Sequence, residues 1–203
     1  MSRNIIVLFI ALVFVRSDGF SQEYTFDKKV TGTFSTKVLP DKTLTNYFST
    51  ADVSYHLQVY SHLDRIIARI FDTNNNQLHY FYSKPDEPTN FKFVETIKLE
   101  NPYDNFHVKF DDNKKTESVV ILKVYNEKNK KVANYSLKIE ECDYNGFIFF
   151  KYMATEILLF TQTTPPSNFI VLEAEGRNSN GKSVKYKLKS IENVQIILTV
   201  PQS

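Results

Sequence analysis

The chain has 203 residues, a formal net charge of +2, one cysteine and five glycines. So small a charge excludes the clustered basic face that nucleic-acid binding requires, and five glycines leave no Gly-rich phosphate loop. A single cysteine cannot form an internal disulfide, so the protein must be held together by burial, for which it is long enough.

The first residues carry the pattern of a secretory signal peptide. Arg3 precedes Ile5–Val15, an unbroken apolar run, and Gly19-Phe20-Ser21 supplies a small-residue exit. As a helix the run would rise roughly 16 Å, about half of a bilayer core. We therefore predict that residues 1–21 are removed before Gln22 and that the protein is secreted or periplasmic, without a membrane span after cleavage. An uncleaved anchor is the alternative.

Residues 22–203 are predicted to form a single antiparallel β domain. In Val53–Val59 apolar and polar residues alternate, which indicates a strand with one buried face. Turn residues then separate further strand candidates at Arg65–Phe71, Gln77–Ser83, Phe91–Leu99, Phe106–Phe110, Glu117–Tyr125, Val132–Ile139, Phe169–Glu175, Ser183–Lys189 and Ile191–Val200. The fold class is thus mainly β, an antiparallel meander forming a curved sheet or half-barrel, with a β-sandwich as the alternative.

Two segments near residue 150 are less regular. Asp143-Tyr144-Asn145-Gly146 predicts a hairpin turn, because Asn-Gly favours that geometry. The apolar stretch Phe147–Phe160 fits a buried strand, two short strands or the one helix of the fold. Periodicity alone does not distinguish these.

No catalytic, cofactor or metal site is predicted. His56, His62, His79 and His107 are expected at the surface, with His56 and His62 on one strand face about 20 Å apart. Cys142 lies among acids, which disfavour a reactive thiolate, so we expect a buried or intermolecular thiol. Lysines at 114–115 and 128–131 are interpreted as hairpin tips. Asn134-Tyr135-Ser136 has the form of a glycosylation sequon but falls within a predicted strand.

The carboxy-terminal third carries a resemblance. Its residues are Thr155-Glu156-Ile157, Pro165-Pro166, Phe169–Glu175, Asn180-Gly181-Lys182 and Tyr186–Glu192. They resemble the closing hairpins of secreted Gram-negative proteins of the GLPGLI type and, more distantly, periplasmic lipoprotein carriers of the LolA type. The GLPGLI motif itself is absent, with Ser167–Leu172 in its place. The resemblance implies a curved antiparallel sheet whose concave face can hold something apolar, and it implies no enzyme.

Two functions fit these observations. The first is a non-enzymatic envelope protein that binds a lipid or another apolar ligand or partner on a concave sheet, with aromatics of Phe147–Phe160 and Leu78–Tyr82 as lining or as core. The second is a β-sandwich domain that binds an envelope protein or glycan through edge strands and loops. A lined groove favours the first and a filled core the second.

Overall fold

The structure is a computed structural model that describes residues 21–36, 42–88, 90–100, 105–111, 118–154, 158, 161, 163–178 and 181–201. Residues 1–20 of the predicted signal peptide and the predicted tip at 114–115 lie outside these residues. The elements are β1 (Gln22–Thr36), β2 (Lys42–Phe48), β3 (Tyr55–His62), β4 (Arg65–Asp72), β5 (Gln77–Ser83), β6 (Lys92–Lys98), β7 (His107–Asp111), β8 (Val119–Tyr125), β9 (Lys131–Glu141), α1 (Phe147–Ala154), β10 (Phe169–Arg177) and β11 (Ser183–Val200).

All of these strands belong to one antiparallel sheet in the order β6-β5-β4-β3-β2-β1-β11-β10-β9-β8-β7. The chain begins in the middle of the sheet, winds outward to β6, and returns from the other edge, β7, to the middle. The two edge strands do not pair with each other in this order, so the sheet is open. The predicted fold class, a mainly β antiparallel meander in a curved open sheet, is confirmed.

The strands β1 and β2 were not predicted. In Gln22–Thr36 the apolar side chains of Tyr24, Phe26, Val30 and Phe34 stand at alternate positions, which indicates a strand although Lys28 and Gly32 interrupt the row. Tyr24, Phe26 and Val30 are fully buried. The segments predicted separately as Ser183–Lys189 and Ile191–Val200 form one continuous strand, β11, which pairs with β1 over most of its length. Burial in the centre of the sheet stabilises these segments.

The hairpin predicted at Asp143–Gly146 is wrong, because these residues lead into the helix α1. A Cβ on Gly146 would lie 2.5 Å from Cγ1 of Ile170, so the glycine permits a close approach to β10. The helix resolves the alternatives for the first part of Phe147–Phe160. Phe147, Ile148, Phe149 and Phe150 are all buried, as expected for a helix that is apolar on every side.

Two hydrophobic cores lie on opposite faces of the sheet. The larger one packs between α1 and strands β1, β2 and β8–β11. In β3 the side chain of His56 stacks on Tyr152 of the helix, whereas the next residue, Leu57, belongs to the second core. Since successive strand residues point to opposite faces, the second core lies on the side of β3–β5 away from the helix.

The second core is covered by the ends of the two longest strands. Residues 22–26 of β1 and 196–200 of β11, here called the terminal arm, pair with each other and pack on β3–β5 through Tyr24, Phe26, Leu198 and Val200. The register of the pair shifts between Phe26 and Lys28. Such a bulge bends the strands and increases their twist at the base of the arm.

Candidate binding face

The side of the sheet that faces away from α1 carries a polar groove across β1 and β8–β11. Along β11, Val184 and Tyr186 enter the helix-side core, while Lys185 and Lys187 project to the other side. This groove, called the open-face groove, has a volume of about 500 Å³. It is lined by Thr33, Ser35, Val119, Ser136, Lys138, Glu173, Ala174, Glu175, Lys185, Tyr186, Lys187 and Lys189.

The groove carries an excess of positive charge. Lys187 Nζ lies 2.9 Å from Glu173 and Lys185 Nζ lies 3.1 Å from Glu175. The hydrogen bond and charge of Lys187, with a further contribution from Lys138, hold the pKa of Glu173 below its ordinary value. Four lysines against two glutamates leave two positive charges, those of Lys138 and Lys189. The groove therefore favours an anionic group.

A second polar cluster joins the terminal arm to β4 and β5. The Tyr24 hydroxyl donates to Asp72 Oδ2 at 2.7 Å and lies 2.7 Å from His79 Nε2. Because the hydroxyl has one proton, Nε2 of His79 must donate, and its Nδ1 accepts from the Thr96 hydroxyl at 2.8 Å. The main-chain N–H and side-chain amide of Asn75 also donate to Asp72.

The pKa values of this cluster reflect its burial and its internal hydrogen bonds. Burial raises the pKa of Tyr24, and burial lowers the pKa of His79. Burial alone would raise the pKa of Asp72, but hydrogen bonds from Tyr24 and Asn75 hold it below its ordinary value. Each of the three side chains is at most 2% exposed. The cluster thus pins the arm to the sheet and offers no access to a substrate.

Two of the four histidines do not lie at the surface, where all four were predicted. His56 and His79 are buried, because the helix covers one face of β3 and the terminal arm covers the opposite face of β5. His62 is exposed at the end of β3, and His107 is half-buried and stacks on Tyr125. Within the described ranges, no group of three His, Cys, Asp or Glu residues could hold a metal ion.

The other residues singled out by sequence have structural positions. Cys142 is half-buried, and its thiol donates to the Tyr144 carbonyl at 2.8 Å. Asn134 lies in β9, as expected, and the 126–130 segment forms the turn between β8 and β9, with Asn129 at φ 56°. The aromatics of α1, together with Leu78 and Phe81, fill the cores and do not line the groove.

Sequence reasoning did not identify the open-face groove. Its signal is the alternation of Lys185, Lys187 and Lys189 with apolar residues along β11, facing Glu173 and Glu175 on β10. A row of charged residues on one face of a strand is common at any solvated surface. The pattern therefore indicates a binding site only when the curvature of the sheet is also known.

Comparisons with known proteins give little further guidance. No protein-family model matches the chain, and no curated protein matches it. Among solved structures, the crystal structure of a LolA superfamily protein from Nitrosomonas europaea is similar at a TM-score of 0.26 and 7% identity, covering 83% of this chain and 85% of that one. The resemblance to GLPGLI-type proteins stays a prediction. In the part of the chain that is described, no helix is long and apolar enough to cross a bilayer.

Proposed function

We propose that the protein is an exported, non-enzymatic binding protein that holds an acidic amphiphile in the open-face groove. The observation that supports this is the pair of lysines, Lys138 and Lys189, left over after the two ion pairs of the groove are counted. Their ammonium groups would hold a carboxylate or phosphate, and their alkyl stems, with Val119, would contact the adjoining apolar portion.

This proposal narrows the sequence-based expectation of an apolar ligand. The large aromatics pack in the two cores, so a purely apolar ligand has little apolar surface to cover in the groove. The lining contains no histidine or cysteine, and its serines and threonines lack an imidazole beside them. These residue types suit the binding of a ligand without its chemical conversion.

A fluorescent fatty acid titrated into the folded protein tests the proposal. We expect saturable binding that weakens with ionic strength, and weaker binding in the double variant Lys138→Gln with Lys189→Gln. The matched control is Lys92→Gln with Lys98→Gln on the edge strand β6, which makes the same change in net charge away from the groove. Absence of saturable binding, or equal losses in both double variants, contradicts the proposal.

Export is tested separately by sequencing the amino terminus of protein recovered from the periplasm or the medium of expressing cells. We expect the recovered chain to begin at Gln22. A chain that still begins at Met1 contradicts cleavage but leaves the groove proposal unaffected.

One observation favours the second function, a protein-interaction domain. The edge strand β6 exposes Val94 and Ile97, with 51% and 41% of their surfaces accessible, and an unpaired edge can accept a partner strand. Recruitment of an envelope protein that is lost in Val94→Lys with Ile97→Lys, but kept in the groove double variant, would favour this function.

A further inference from the structure

The strands β2 and β3 separate along most of their length. They pair at only three positions, where Asn46, Tyr47 and Phe48 oppose Gln58, Leu57 and His56. Beyond Asn46, residues 42–45 pair with β1 on one side, and residues 59–62 pair with β4 on the other. A cleft of about 250 Å³ opens between the two strands, and we call it the β2–β3 cleft.

The cleft lies between the strands, not on one face of the sheet. Its lining includes three consecutive residues of each strand, 43–45 and 58–60, so side chains of both orientations border it. In an antiparallel strand, alternate residues direct their N–H and C=O groups to opposite sides. Both walls of the cleft therefore present main-chain donors and acceptors that the β2–β3 ladder does not use.

The charged residues of the cleft are both cations. Lys42 is exposed at the mouth, and Arg69 reaches in from β4, while none of the described residues that line the cleft is acidic. Arg69 donates through Nη2 to Gln58 Oε1 and stacks over Tyr60 at 4.8 Å. Its Nε is buried and has no hydrogen-bond partner among the described residues.

A second unpartnered group lies where the cleft closes. Asn46 forms the first pair of the β2–β3 ladder and is fully buried. In the part of the chain that the structure describes, neither of its side-chain amide atoms has a hydrogen-bond partner. Buried amides are normally satisfied, since leaving one unpaired costs about 1–3 kcal/mol. Asn46 pairs with Gln58, whose side chain accepts from Arg69, so two side chains with unused polar atoms flank Gln58 at this end of the cleft.

We propose that the β2–β3 cleft binds the carboxyl-terminal end of an extended peptide segment. The peptide main chain would pair with the free groups of residues 42–45 and 59–60, and its terminal carboxylate would bind Arg69 and Lys42. A guanidinium suits this role because its planar donors match a carboxylate. A fatty acid carries the same carboxylate but has no amide groups for the cleft walls. This site is distinct from the open-face groove in its strands and in its ligand.

Isotope-labelled full-length protein, titrated with acetyl-Val-Thr-Val bearing a free carboxylate and followed by amide chemical shifts, tests the proposal. We expect shifts at residues 42–45 and 59–60. The same peptide as its carboxamide should bind at least about tenfold more weakly, which is the loss of affinity expected when charge-assisted hydrogen bonds are removed.

Two variants assign this preference to the cations. Arg69→Gln should remove most of the preference for the acid over the amide, and Lys42→Gln, an exposed change that leaves the packing intact, should reduce it. Lys98→Gln on β6 should leave it unchanged. Equal binding of acid and amide, shifts confined to other strands, or displacement of the peptide from this cleft by palmitate at equal affinity would overturn the proposal. None of these results depends on the open-face groove.

Discussion

His56 illustrates how a single residue is held by a stack of rings. Its imidazole lies between Phe71, at 4.8 Å and 4° interplanar angle, and Tyr152 of α1, at 4.2 Å and 17°. The Nδ1 atom is buried, and no described residue forms a hydrogen bond with it. Burial, together with the positive charges of Lys151 and Arg69, lowers the pKa of His56 to about 3. The ring is therefore neutral in the folded protein.

This pKa predicts a loss of stability in mild acid. The unfolded chain takes up a proton at His56 near pH 6.5, whereas the folded chain does so only near pH 3. The stabilisation that the neutral His56 gives the folded protein is fully present above pH 6.5. As the pH falls toward 3 it is lost, by up to about 1.4 kcal/mol of unfolding free energy per pH unit. Urea unfolding between pH 7 and pH 4 measures it.

Two substitutions assign that slope to His56. His56→Phe keeps a stacked ring without a titratable group and should reduce the dependence on pH. The part that remains is due to His79, whose pKa burial also lowers, and near pH 4 to Asp72 and Glu173, whose pKa values are lowered by their hydrogen bonds. His62→Gln, at an exposed position, should change nothing. A slope that persists in full in His56→Phe would contradict the assignment.

At the scale of elements, the terminal arm depends on one hydroxyl. Tyr24→Phe removes the group that joins Asp72 and His79 and leaves both without it inside the second core. We expect the free energy of unfolding to fall by about 1–3 kcal/mol, as for other buried polar groups that lose a partner. Tyr60→Phe is the control, since within the described residues its hydroxyl makes no hydrogen bond. Equal effects in thermal or denaturant unfolding would refute a pinning role.

The close approach of the strands β9 and β10 at Gly176 can be tested by substitution. A Cβ on Gly176 would lie 2.1 Å from the Asn134 carbonyl oxygen and 2.8 Å from the Cα of Tyr135, so the main chains would have to separate. Gly176→Ala should therefore cost at least about 3 kcal/mol or prevent folding. Gly181→Ala, at φ +70° with open space around it, should cost only about 1 kcal/mol. Circular dichroism with thermal unfolding compares the two, and similar losses would contradict the steric argument.

An element could be predicted from the sequence when its own residues carry the pattern of its buried face. The strands β4, β5 and β8–β10 carry their own alternation and turn residues, and their predicted bounds lie within two residues of the observed ones. The strands β1 and β2 are held by neighbours distant in sequence, such as Val200 opposite Gln22. The helix α1 is apolar on every side, so it has no periodicity to separate it from a strand.

At the scale of the whole molecule, the open sheet determines where ligands can bind. The aromatic content predicted that the large rings either line a binding site or fill a core. The helix α1 packs on one face and the terminal arm on the other, and the rings lie in the two cores between them and the sheet. The accessible groove is lined mostly by charged and hydroxyl side chains. Neither the groove nor the β2–β3 cleft could be predicted from sequence, because both depend on sheet curvature and on where two strands stop pairing.

The topology also predicts tolerance to circular permutation. The sheet brings Gln22 opposite Val200, so both ends of the folded region lie side by side in its central strand pair. A short glycine-serine linker between residues 201 and 22, with new ends in the exposed 127–130 turn, keeps every strand pair. We expect this permutant to fold with near-native circular dichroism and cooperative unfolding, because exposed turns tolerate new ends. New ends placed instead between Thr31 and Gly32 would interrupt β1 in the middle of the sheet and should abolish cooperative unfolding. If both permutants behaved alike, the central pairing of β1 with β11 would not be what holds the two halves of the sheet together.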